Sequence, residues 1–252
     1  MNKILYWTIC FLVVTSVSAH ALEVSVTPFY WLPDLDAELK IKRNKIGNTV
    51  DFVDDLGMDD DEGVQGGMVD LKFGRSNHFY LSYWSVGYDE KDHELTGTIS
   101  YNGIVYPSGT SVTSSLDLDT FEGGYAFDLL DFETFRLGFL LNVNWYAVDS
   151  KINTLSPSYI ENDDKMDLVF PLLGVRSRMG FWGNRIQLSG RFAGLWWHGS
   201  GWWDGSAEIS YHPYNNLSVA GGYRAIHLDA SQDDDVVNIK LDGLIASLTY
   251  RF

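Results

Sequence analysis

Apolar residues recur at every second position along most of this chain. In residues 134–148, TFRLGFLLNVNWYAV, Phe135, Leu137, Phe139, Leu141, Val143 and Trp145 share one parity. Arg136, Gly138, Leu140, Asn142 and Asn144 take the other. A period of two sends alternate side chains to opposite faces of a β-strand, so one face here is greasy and the other mostly polar. The same division separates Val69, Leu71 and Phe73 from Asp70 and Lys72, and Phe121, Tyr125 and Phe127 from Thr120, Glu122 and Ala126. It also sets Ile186, Leu188 and Phe192 against Gln187, Ser189 and Arg191, and Leu217, Val219 and Tyr223 against Ser218, Gly222 and Arg224.

The pattern predicts ten strands, at about 23–42, 62–75, 78–100, 104–129, 134–154, 163–181, 184–197, 202–213, 217–230 and 236–252. A protruding hairpin around Asn102 and Gly103 would change that count to eight or twelve. Alternation alone does not say which face is outside, because a soluble sandwich alternates too. The connections decide it. Short ones fall at every second place (76–77, 129–133, 182–184 and 213–216), while longer, acidic ones lie between them. Short turns at one end and long loops at the other mark a transmembrane barrel, and an even strand number brings both termini to the short-turn side. Each strand also exceeds the roughly nine to eleven residues that span a bilayer. The expected fold is therefore all-β, an antiparallel transmembrane barrel with its apolar face in lipid. Trp196, Trp197, Trp202 and Trp203 would stand at the outer interface, and Trp182, Tyr214, Tyr250 and Phe252 at the inner one, where half-wet rings are favoured.

The first residues read differently. Lys3, an apolar run and a small-residue end at Ser18–Ala21 form a secretory signal peptide over 1–21, leaving one domain over 22–252. The sole cysteine, Cys10, falls inside that signal, so the mature chain is expected to hold no disulfide. Removing Lys3 moves the formal net charge from −16 to −17. A chain so acidic does not gain from phosphate contacts, which excludes nucleic acid as a partner. Outer-membrane lipid and lipopolysaccharide are the expected surroundings.

Two resemblances sharpen the address. The last residues, LIASLTYRF, place Leu244, Ala246, Leu248, Tyr250 and Phe252 on one face and end on an aromatic side chain. This resembles the β-signal of bacterial outer-membrane proteins. It implies the outer membrane of a Gram-negative cell and recognition of Leu248, Tyr250 and Phe252 by the barrel-assembly machinery. Near the other end, VTPFYWLPDLDAELKI followed by VDFVDDLGM is similar to a group of small bacterial outer-membrane barrels, and that resemblance implies the fold without an activity. Within the last strand the apolar parity switches near Gly243, where Val237, Ile239 and Leu241 take over. A glycine bulge there is the expected cause.

Candidate chemistry lies in three places. Asp70, Lys72, Glu122, Arg136, Arg176, Arg178, Arg191 and Arg224 share the polar parity and would line the lumen. They would form either a salt-bridged filling or a narrow pore whose arginines attract anions, and the sequence leaves both open. Asp59, Asp60 and Asp61, with Asp233, Asp234 and Asp235, are clustered carboxylates on outer loops. They are candidates for divalent cations bridging to lipopolysaccharide or for surface adhesion, though without the ligand spacing of a calcium loop. Third, His198-Gly199-Ser200 is similar to the H-x-S motif of the outer-membrane lipid A deacylases, which implies a histidine base and serine nucleophile with Glu208 as orienting acid. The deacylase motif continues with Asn, where this chain has Gly201. The sequence therefore favours a non-enzymatic barrel, structural or a narrow pore for small solutes, without a cofactor.

Overall fold

A computed structural model describes residues 22–42, 47–155, 160–197, 200–232 and 235–252; the signal-peptide assignment lies outside them. Thirteen strands and no helix occur among the described residues. They are β1 (Leu22–Lys40), β2 (Val50–Asp51), β3 (Val64–Phe73), β4 (Asn77–Glu94), β5 (Ile99–Tyr101), β6 (Ile104–Tyr106), β7 (Ser111–Asp131), β8 (Phe135–Thr154), β9 (Asp163–Phe181), β10 (Ile186–Trp197), β11 (Ser200–Tyr214), β12 (Leu217–Gln232) and β13 (Asp235–Arg251). Ten of them, all but β2, β5 and β6, pair antiparallel in chain order, and β13 closes on β1. Closure leaves no strand with a wholly unpaired edge, the condition for strands in lipid. The short turns at 74–76, 132–134, 182–185 and 215–216 share one end with Leu22 and Phe252, which makes that end periplasmic.

The hairpin around Asn102 and Gly103 is not the tip of a long barrel ribbon. Strands β4 and β7 stop pairing at Glu94 and Ser111, and β5 and β6 form a separate two-stranded sheet, so the barrel count stays at ten. Asn102 and Gly103 both have positive φ, the turn geometry that a two-residue hairpin needs.

The two faces of the barrel wall exchange chemistry part-way up. In lower β1, Val26, Tyr30 and Leu32 face outward and Ser25 and Thr27 inward. Above Pro33, Leu35, Ala37 and Leu39 face inward while Asp34 and Asp36 face out. Strand β13 mirrors this, with Leu244, Leu248 and Tyr250 outside below, and Val237, Ile239 and Leu241 buried inside above. The pairing of β1 with β13 holds a constant register from Ser25–Arg251 to Lys40–Val236. The bulge expected at Gly243 is therefore absent. The strand runs on unbroken and its surroundings change instead: lipid outside gives way to water, and a polar lumen to packed protein. Gly243 answers a different demand, since a Cβ there would collide with the Leu32 carbonyl oxygen.

The boundary between the two regimes carries aromatic residues tied to aspartates. The Tyr83 hydroxyl donates to Asp119 (2.8 Å), Trp145 Nε1 to Asp167 (3.1 Å) and the Tyr223 hydroxyl to Asp242. Each ring lies at the top of the apolar belt with its polar atom turned towards water, the placement favoured at a membrane interface. Trp196 is exposed there, but Trp202 is 1% exposed and faces the interior; its parity on β11 opposes that of Trp203. Trp182, Tyr214 and Phe252 stand exposed at the periplasmic rim.

Candidate functional site: a closed lumen above a periplasmic vestibule

The upper barrel is filled by its own loops. Ile41, Val50, Phe52, Leu56 and Met58 come from the connection between β1 and β3, and Leu95, Ile99, Tyr101 and Tyr106 from the inserted hairpin. All are buried against inward-facing Leu35, Leu116, Val148, Ile152, Leu228 and Ile239. Backbone bonds from Asn102 N to the Ile41 carbonyl (3.0 Å) and from Asn48 N to Ser100 (2.8 Å) dock the two loops together. Asn162 donates to the Tyr101 carbonyl and the Tyr106 hydroxyl (both 3.0 Å). Burying this much apolar side chain, at about 1.5–3 kcal/mol each, is what holds the plug in place.

Beneath the plug lies an aromatic layer. Trp31 meets Trp84 edge-on with centroids 5.7 Å apart, and Tyr146 packs on Trp202 at 4.0 Å. Below that sit four charges, of which Glu122, Asp204 and Arg224 are buried and Arg191 is half-buried. Arg191 bonds Glu122 (2.7 Å) and Asp204 (3.2 Å), and Arg224 bonds Asp204 (2.8 Å). Asn142 donates to Glu122 (2.8 Å), and the Arg224 guanidinium lies over the Trp31 ring at 5.1 Å. Two cations and two anions cancel, and the cation–π contact offsets part of the cost of removing Arg224 from water.

Below the charge layer, a cavity of about 780 Å³ opens towards the periplasm. All eight lumen charges singled out in the sequence line it, whereas none of Trp31, Trp84, Tyr146 and Trp202 does. Most of its cations have acids: Lys72–Glu23 (3.3 Å), Arg136–Asp131 (2.6 Å), Arg176–Asp128 (2.6 Å) and Arg251–Glu23 (2.9 Å). His78 is held between Asp70 (3.1 Å) and Asp128 (3.4 Å). The sequence reading missed Asp128, Asp131, Asp204, Glu23 and Arg251. Parity was the available signal, since Asp204 alternates with Trp203, and Asp128 with Phe127.

The hydrolase set does not assemble. His198 lies outside the described residues. Ser200 Oγ accepts from Ser231 N (3.1 Å), at the outer end of β11. Glu208 sits eight residues down the same strand, about 26 Å away at the rise of an extended chain, and accepts from Ser247 (3.4 Å). It cannot orient a histidine beside Ser200. Asp59, Asp60 and Asp61 are exposed on the approach to β3, and Asp235 accepts from Lys42 N (2.7 Å), while Asp233 and Asp234 lie outside the described residues. Among the described residues no three ligating side chains converge.

No family model and no curated protein matches the chain. Solved outer-membrane barrels do. The outer membrane protease OmpT of Escherichia coli aligns over 94% of this chain and all of its own, at 10% identity and a TM-score of 0.61. The translocator domain of the autotransporter NalP from Neisseria meningitidis aligns over 98% of this chain and 95% of its own (7% identity, TM-score 0.48). Ail of Yersinia pestis aligns over 92% of this chain and 99% of its own (12% identity, TM-score 0.43). At such identities the likeness is one of fold. With the lipid-facing belt, the aromatic interface and the closed sheet, the alignment with OmpT gives this chain the fold of an outer-membrane β-barrel.

Proposed function

We propose that the protein is a non-enzymatic outer-membrane barrel of the closed kind, a structural body in the membrane and not a conducting pore. The observation that carries this reading is the three-tier filling of the lumen: loop plug, aromatic layer and the Glu122–Arg191–Asp204–Arg224 charge layer. A permeating ion would have to displace buried apolar side chains and strip a neutralised charge cluster, both of which disfavour conduction. The separation of Glu208 from Ser200 argues against the hydrolase reading. Surface adhesion through the acidic loops fits poorly over 35–60, because that stretch contains upper β1 and much of the plug.

Planar-bilayer recording of the refolded chain is the test. Silence from protein that keeps its heat-modifiable gel mobility is the expected result. Reproducible ohmic steps from the same preparation would sink the closed reading and restore the pore.

A further inference from the structure

We propose that the periplasmic vestibule binds a small oxyanion, phosphate or a carboxylate of similar size, at Arg178. The site follows from register. Arg178 of β9 lies directly opposite Arg136 of β8 on one side and Ser189 of β10 on the other, with Arg176 two positions up the same strand. All four line the cavity, as does Arg251 from the last strand.

The vestibule's other inward cations each have an acid within 3.3 Å. Among the described residues, Arg178 has neither an ion pair nor a hydrogen bond. Its strongest charged influences are the like charges of Arg136, Arg176 and Arg251. Asp128 is the acid that acts in the opposite sense, and it is already bound by Arg176 and His78. Arg185 also lacks an acid, but it is exposed on the turn, where water solvates it.

A half-buried guanidinium facing three others is repelled by its neighbours and only partly hydrated. An anion in the cavity relieves both costs. The planar fork of arginine matches an oxyanion through two parallel hydrogen bonds, which a spherical halide does not reproduce. Ser189 and Ser210 add hydroxyls on the adjoining wall. The opening faces the periplasm, so the ligand comes from that side. The inference does not depend on whether the lumen conducts, because binding and conductance are read separately.

Calorimetry on the full mature chain, folded in detergent micelles at low ionic strength, tests this with inorganic phosphate and with acetate as probes. Saturable binding of at least one is expected, with affinity reduced at least tenfold in Arg178→Gln, unchanged in Lys165→Gln on the outer ribbon, and resistant to equimolar chloride. Phosphate binding without acetate binding assigns the site to phosphates, and the reverse to carboxylates. Equal affinity in Arg178→Gln, displacement by chloride, or no binding of either probe overturns the proposal. In buffer free of both probes, Arg178→Gln should be at least as stable as the parent, because a repelled charge has been removed. Failure of that variant to fold would also overturn the proposal, since the guanidinium would then serve the fold itself.

Discussion

At Asp204 one carboxylate serves two guanidinium groups, from Arg191 and Arg224, and is itself wholly buried. Removing it leaves the buried Arg224 without an ionic partner and the layer with an excess positive charge. Asp204→Ala should cost about 3–5 kcal/mol, as breaking a buried pair does. A denaturant titration of the folded barrel reads this, and a loss below 1 kcal/mol would show the charge layer to be water-filled. Gly243 poses the opposite problem, with too little room. A β-carbon there would strike the Leu32 carbonyl oxygen and lie 2.8 Å from Pro33 Cα, both backbone atoms that cannot swing aside. Gly243→Val should therefore destabilise the barrel by about 1–3 kcal/mol or more through overpacking at the β1–β13 seam. A variant as stable as the parent would mean that this seam is looser than its register indicates.

Among elements, the inserted hairpin has the most distinctive behaviour. Tyr101 and Tyr106 are buried above the membrane, and burial pushes both phenols above the ordinary value of about 10. Their hydrogen bonds to Ser150 and Asn162 act in the opposite sense and do not cancel it. A raised pKa in the folded state means that the neutral phenol is the form the fold accommodates. The hairpin's contribution is therefore complete below pH 10 and is lost as pH rises from there through the folded-state values. The thermal midpoint should fall between pH 10 and 12, and the double variant Tyr101→Phe, Tyr106→Phe should flatten that fall. An equally steep fall in the double variant would place the alkaline weakness elsewhere. The hairpin was hard to find in the sequence because Ile99, Tyr101, Ile104 and Tyr106 alternate like barrel residues. Periodicity records that a strand has two faces, not which sheet it joins.

At the scale of the whole molecule, Phe252 sits where the last strand closes on the first. Phe252 is 74% exposed at the periplasmic rim, stacked edge-on against Tyr250, and its N–H donates to the Val24 carbonyl (2.9 Å). We propose that its aromatic ring serves recognition by the assembly machinery more than the finished barrel. Deleting Phe252 should cut the amount reaching the outer membrane several-fold while changing the stability of the refolded protein by less than about 1 kcal/mol, the worth of one exposed terminal contact. Equal losses in cells and in refolding would instead make the ring a structural clasp.

The sequence by itself determined the barrel, its orientation and the inward set of Asp70, Lys72, Glu122 and the arginines, and it put the strand count at ten with eight or twelve still open. These follow from a period of two and from the sorting of short and long connections, both of which are local. The tertiary structure decided whether the lumen is filled, where Trp202 points, why parity inverts near Gly243 and how far Glu208 stands from Ser200. Each of these depends on what occupies the space beside a strand. A strand's pattern marks one face as apolar, but lipid and a packed plug ask for the same residues. Only closure of the sheet, with loops folded into its mouth, distinguishes the outside of the lower barrel from the inside of the upper one.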